Sequence, residues 1–218
     1  MDAIPLRIDV VSDVVCPWCI IGYKQLHKAL AETPHNFEVS LTWHPFELNP
    51  NMGDEGENLR EHLAKKYGTT KEQSVSARAR LTALGESLGF SFDYFDEMRV
   101  VNTFRAHQLL HWARSQGRQT ELKLALFAAF FSERQDVSKI DVLVAAAAHV
   151  GLAADEARQL LCDARFARAV RDEQRYWLAR EVHAVPTFML NDSYPIPGAQ
   201  DARTFLRILD KAAEMQAA

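Results

Sequence analysis

A chain of 218 residues, 48% hydrophobic and 25% charged, can bury a sizeable core without disulfide staples and has room for two compact units. Its formal charge of −4 comes without any one-sign stripe of Lys or Arg, which excludes a nucleic-acid footprint. Three cysteines are too few for a disulfide framework.

Met1-Asp2-Ala3-Ile4-Pro5 has neither a basic n-region nor an apolar h-region. The longest nearly apolar run, Val142 to Val150, falls far short of a membrane span. A cytoplasmic protein with no membrane contact is therefore expected. Leu6, Ile8 and Val10 alternate with Arg7 and Asp9 as in a half-buried strand. After Ser12-Asp13-Val14-Val15 comes Cys16-Pro17-Trp18-Cys19, then a helical pattern with Tyr23, Leu26 and Leu30 on one face, ending before Thr33-Pro34. Pro17 falls at the first helical position, where its missing N–H costs nothing. Phe37, Val39, Leu41 and Trp43 then alternate with Glu38, Ser40 and Thr42, completing a βαβ unit.

Asn49 to Asn58 is a Pro, Gly and acidic loop, and from about Leu59 to Ala179 the pattern is helix after helix, with no useful strand alternation. Thr69-Thr70-Lys71-Glu72 and Ser138-Lys139-Ile140-Asp141 have the spacing of capping boxes, with stops at Gly89 and Gly151. Asn102 opens a helix whose buried stripe is Ala106, Leu109, Leu110 and Ala113. Between Arg165 and Arg180 the arginines interleave with Asp172 and Glu173, the pattern of a solvated face. Thr187 to Leu190, the turn Asn191-Asp192-Ser193 and Tyr194 to Ile196 predict a hairpin, and Phe205, Ile208, Leu209 and Ala212 mark a last helix. The order βαβ, helical block, ββα predicts an α/β thioredoxin-like fold with an inserted all-α subdomain. Residues 1–50 and 180–218 form the discontinuous frame, and residues 51–179 the insertion.

The chemistry is expected at Cys16 and Cys19. A thiol attacks a disulfide as the thiolate, and a helix N-terminus favours that anion through its unpaired N–H groups and dipole. Cys16 sits at that end and is predicted to be the acidic, accessible thiol. Cys19, one turn on, can resolve a mixed disulfide intramolecularly. A zinc half-site is the competing reading, but a closed site needs four ligands, and only Cys162 and eight scattered histidines could supply them. His107 and His111, spaced i and i+4, read as a polar helix face, and Cys162 as a small buried hydrophobe. No cofactor and no metal site is expected.

Five short motifs, in this order and spacing, are similar to those of the DsbA family and, within it, the FrnE-type branch. They are Asp13-x-x-Cys16-Pro17-Trp18-Cys19, Trp43-His44-Pro45-Phe46, Asn102-Thr103 with Ala106-His107, Val185-Pro186-Thr187-Phe188 and Gly198-Ala199-Gln200. The resemblance spans essentially the whole chain. It implies a cis Pro186 facing the dithiol and a Val185 backbone offered to an extended substrate. It also implies catalytic roles for Cys16, Cys19 and Pro186, and a substrate surface of Pro17, Trp18, His44, Val185, Thr187 and Gln200. The implied partners are protein thiols and disulfides, with glutathione at most in a transient mixed disulfide; the oligomeric state is left open, a homodimer included. The same architecture resembles glutathione-dependent isomerases and kappa-class transferases. Those relatives generally carry Ser at the position of Cys16 and a Ser-Asp pair where Ala199-Gln200 stand here. A third reading is a holdase with an apolar groove around Trp18.

Overall fold

The computed structural model describes residues 3–217. Met1, Asp2 and Ala218, which the sequence reading includes in the N-terminal segment and the domain spans, lie outside them. Strand β1 (Ile4–Ser12), helix α1 (Pro17–Glu32) and strand β2 (Phe37–Pro45) form the expected unit. The two strands are parallel, in a register that sets Val10 beside Trp43 and Val11 beside His44. Two-residue strands β3 (Glu57–Asn58) and β4 (Arg99–Val100) pair across the helices α2 (Leu59–Tyr67) and α3 (Lys71–Ser87). Pairs this short leave no alternation to read in a sequence. Helices α4 (Phe104–Ser115), α5 (Gln119–Phe131), α6 (Ile140–His149), α7 (Ala154–Cys162) and α8 (Ala167–Ala179) follow. The chain then returns through β5 (Thr187–Leu190), β6 (Tyr194–Pro197) and α9 (Ala202–Ala217). The sheet runs β2-β1-β5-β6, with β5 antiparallel to both neighbours.

The sequence pattern of β1 alternates, yet from Ile8 onward the strand is buried on both faces. Ile8 and Val10 join the main core, which runs from Ile20 and Leu26 of α1 through Leu109, Leu126 and Phe127 of the helical block to Phe205 of α9. Asp9 and Val11 point to the opposite face, where α8 covers them: Val11 packs with Trp177, Val182 and Met189. The expected solvated face of α8 is thus only partly solvated, because the helix also closes the second face of the sheet. Gly22 is the close-approach position of α1. A Cβ there would come within 3.0 Å of the Phe188 ring and 3.3 Å of the Ala199 Cα, so the helix could not sit this near β5 with any larger residue.

Two expected caps fall elsewhere. The α3 box is closed by Thr70 and Gln73, each side chain bonded to the other's backbone N–H, while the Thr69 hydroxyl donates to the Leu63 carbonyl at 3.1 Å. Ser138 does not cap α6: its hydroxyl donates to Asp136 at 2.6 Å, and Lys139 stands at the cap without a side-chain bond.

Helix α5 grips the sheet through one amide. Strand β2 is an edge, so its outward backbone groups lack a ladder partner. At Trp43 the side chain of Gln119, the first residue of α5, supplies one. The Trp43 N–H donates to its Oε1 at 3.0 Å, and its Nε2 donates back to the Trp43 carbonyl at 2.9 Å. The Trp43 indole N–H donates to Thr120 at 3.0 Å, and its ring packs against Tyr23 and Phe127. Gln119→Leu keeps the bulk but orphans a buried donor and a buried acceptor. It is expected to lower unfolding free energy by about 2 kcal/mol in a urea titration.

Candidate active site

Cys16 is the N-cap of α1, in extended backbone (φ −95°, ψ 112°), and no side chain caps the helix. The segment before it turns through a Cys16 N–H to Asp13 carbonyl bond of 3.3 Å. The two thiols are free and close, but neither is openly exposed: Cys16 is 3% accessible and Cys19 fully covered. The expectation of an exposed Cys16 is corrected in this respect. Across from it, the Val185–Pro186 bond is cis, and the Val185 carbonyl oxygen lies 3.8 Å from the Cys16 sulfur. Pro186 is buried, and its carbonyl accepts the Gly198 N–H at 2.8 Å. Gly198 has φ +76°, a left-handed conformation that favours glycine, and so aims its N–H back at the proline loop. Pro17 is half-buried, whereas Trp18 is 43% exposed, an apolar face beside the sulfurs.

The other expected substrate residues are differently engaged. Thr187 is buried and donates to the Ala184 carbonyl at 2.8 Å. The Gln200 amide donates to the Pro197 carbonyl at 2.7 Å, holding the turn after β6. His44 is a correction. It is buried between two carboxylates, 2.8 Å from Asp9 and 2.6 Å from Glu173, so both ring nitrogens are used and none is left for a substrate. Cys162 is a second correction: it is exposed at the end of α7, since its helix turns that face away from Leu160 and Leu161.

Behind the dithiol lies a charge cluster that the sequence did not reveal. Asp13, 1% exposed, accepts the Leu48 N–H at 2.8 Å and a bond from His107 Nε2 at 3.2 Å. Burial opposes ionisation of Asp13, but the His107 bond and charge, the Leu48 N–H and the Lys123 charge hold its pKa below the ordinary value. His107 is thus not on a polar face. Lys123 is fully buried, with no hydrogen-bond partner among the described residues, and its ammonium sits 5.3 Å from the Trp43 ring centre and 5.0 Å from that of Phe127. Burial pulls its pKa down to about 8, against the charges of Cys19, Asp13 and Cys16. The signal for Lys123 was present in the sequence: it shares the helical stripe of Gln119, Leu122, Leu126 and Phe130, where a charge is out of place.

The two thiols influence each other's ionisation. The Cys16 thiol is held well above the ordinary value by its hydrogen bond to Cys19 and by burial. Burial also works against Cys19, yet the bond from Cys16, the Lys123 charge and the Ser12 hydroxyl bring its pKa below the ordinary value. An anion on Cys19 is thus the one that the surrounding charges favour. Lys123→Met removes the cation that favours this anion. The pH at which thiolate absorbance in the ultraviolet appears should rise by about one unit.

The geometry is that of a dithiol at a helix start facing a proline loop, and the chain matches the DSBA-like thioredoxin domain over residues 7–210. The chain belongs to that family. Like other DsbA-type proteins it is a thiol–disulfide oxidoreductase, built on a thioredoxin fold with a helical insertion. A crystal structure of a probable DsbA oxidoreductase from Streptomyces coelicolor superposes with a TM-score of 0.91 at 33% identity, over 96% of this chain and 90% of that one. The uncharacterized Bacillus subtilis (strain 168) protein YwbO is 28% identical over 205 residues, which cover 92% of this chain and 94% of the relative. A 2-hydroxychromene-2-carboxylate isomerase shares the fold at a TM-score of 0.68 with 16% identity, over 97% of this chain and 96% of that one. That fold hosts more than one chemistry, so the substrate must be argued from the site.

The His44 cluster ties α8 to the sheet of this DsbA-type protein. Glu173 also meets His111 and Arg114, each at 3.2 Å. Burial opposes the charge on His44, but hydrogen bonds to Asp9 and Glu173 raise its pKa. For Glu173 the bonds from His111 and His44 outweigh burial and hold it at about 2. The stabilisation from His44 is complete below about pH 6.5, its ordinary value, and fades as pH climbs through the raised one. That from Glu173 is complete above about pH 4.5 and is lost as acid approaches about pH 2. His44→Asn removes the cation between two carboxylates, leaving Asp9 to Arg7 and Glu173 to His111 and Arg114. It should cost about 3 kcal/mol near pH 6 and less in mild alkali, as read from urea unfolding at both pH values.

Proposed function

We propose that this protein exchanges disulfides with protein clients through Cys16 and Cys19. The observation that carries the reading is the Val185 carbonyl 3.8 Å from the Cys16 sulfur, on a loop that also presents backbone to an extended chain. A client strand laid along this loop would bring its sulfur to Cys16. The exposed Trp18 offers apolar contact on the other side. The Cys16 thiol gives up its proton to solvent, and the thiolate attacks one client sulfur. A Cys16–client disulfide forms, and the other client sulfur leaves as a thiolate. Cys19, losing its proton to that freed thiolate, then attacks the Cys16 sulfur. The Cys16–Cys19 disulfide forms, the second client sulfur is released, and two electrons have passed to the client. Run backwards, the same steps oxidise a client dithiol. The motifs around Trp43 and Val185 support placing the chain in the FrnE-type branch.

A glutathione-dependent isomerase finds less support. Ala199-Gln200 follow Gly198, and the Gln200 amide is bonded to the Pro197 carbonyl, so neither offers a carboxylate to a glutamyl amine. The test is dithiothreitol-dependent reduction of a protein disulfide. Cys16→Ser should abolish turnover, and Cys19→Ser should accumulate client mixed disulfides on Cys16, seen by non-reducing electrophoresis. Wild-type turnover by both variants would remove the dithiol from the mechanism. Glutathione-dependent chromene isomerisation by the wild-type protein would promote the alternative.

A further inference from the structure

Beside the dithiol, α2, α3 and the segment around Tyr94 enclose a cavity of about 180 Å³. Val15 and Pro17, which flank Cys16, form part of its wall, and much of the rest is apolar, including Leu59, Leu81 and Phe130. Three of its lining residues carry buried polar atoms without partners among the described residues: the Ser74 hydroxyl, the Tyr94 hydroxyl, and Nε and Nη2 of Arg78. Ser74 is 4% exposed, and the guanidinium of Arg78 lies 5.6 Å from the centre of the Tyr94 ring. Unpaired buried donors are rare and costly, and here they share one cavity.

Their identity points to a ligand. Nε and Nη2 form one edge of the guanidinium fork, whose two parallel N–H bonds match the two oxygens of a carboxylate. Ser74 and Tyr94 add neutral hydroxyl donors; burial pushes the Tyr94 phenol up, so it keeps its proton. Among the described residues no Asp or Glu lines the cavity, while Lys66 does. The nearby cations are otherwise occupied: Arg60 pairs with Asp96 at 3.2 Å and His62 with Glu57 at 2.7 Å. Burial also works against the charge of Arg78, a penalty that an incoming anion would relieve.

We propose that this cavity is a specificity pocket for a carboxylate borne on an apolar group close to the substrate disulfide, gripped by the Nε–Nη2 edge of Arg78 with the hydroxyls of Tyr94 and Ser74. This rests on the disulfide exchange proposed above and adds a class of client: disulfides with an acidic side chain beside the cysteine.

The test uses reduced full-length protein in a Cys162→Ser background, so that the exposed third thiol does not react. Rate constants are measured with dithiobis(nitrobenzoate), which carries a carboxylate on each ring, and with the uncharged dithiodipyridine. The ratio of the two should fall about tenfold in Arg78→Gln and about threefold in Tyr94→Phe, which keeps the ring and so the packing. Two disulfide-linked peptides, with Glu or Gln next to the cysteine, should show the same preference for Glu in wild type and its loss in both variants. Equal ratios in wild type and variants would overturn the pocket. If wild type reduces neither peptide, the proposed function fails, while the two small reagents still decide the pocket because they need only a reactive Cys16. A response to the small reagents without a Glu preference among the peptides would overturn the client class.

Discussion

A carboxylate buried as deeply as Asp13, three residues before a reactive thiol, has to be neutralised from somewhere, and no residue from Val10 to Cys19 is a cation. Its partners come from far along the chain: His107 from α4 and the charge of Lys123 from α5. The thioredoxin-like frame alone would leave that carboxylate uncompensated in a low-dielectric core, at a cost of several kcal/mol. The insertion is therefore part of the redox site. Helix α5 makes the connection twice, once through Lys123 and once through Gln119, which completes the backbone bonding of Trp43.

What was legible in the sequence follows from this division. The βαβ unit, the closing hairpin and the last helix are local patterns, set by alternation, turn residues and a 3.6-residue stripe, and each appears where it was read. The Cys-x-x-Cys pair and Pro186 were legible because their spacing has chemical meaning. The pairings of Asp9, His44, His107 and Glu173 were not: His44 is 35 positions from Asp9 and 129 from Glu173, His107 is 94 from Asp13, and no local signature predicts such a pairing. Asp9 alternates correctly for a strand and still ends up covered, since the helix that covers it arrives some 160 residues later. Cys162 failed in the other direction: two leucines beside it in sequence say little about which way a short helix turns its third face.

The two sides of Cys16 differ in kind. Toward Trp18 and Val185 the surface is apolar ring and backbone, which in the proposed exchange would accept any extended chain. Toward α2 and α3 it opens on unpaired donors in an apolar cavity. A site with only the first side would take disulfides without regard to sequence. Buried hydrogen-bonding groups discriminate far more strongly than apolar walls do, because a substrate lacking the matching group leaves them unpaired. Selectivity in this arrangement thus has a place separate from the chemistry, and one can vary without disturbing the other.

The buried charges also relate the two redox states. With the disulfide formed, Asp13 is the one buried anion beside the sulfurs, faced by His107 and Lys123. Reduction adds two thiols near a single unpartnered ammonium whose pKa of about 8 already reflects the strain of burial. A thiolate there adds an anion to the one on Asp13, and a second would be repelled by both. That repulsion joins burial in driving the Cys16 thiol up, while Lys123 helps draw Cys19 down. In the proposed exchange the attacking anion is that of Cys16, which its own surroundings disfavour. Lys123, which draws Cys19 down and opposes part of the burial penalty, therefore sets electrostatically how readily the pair gives up a proton.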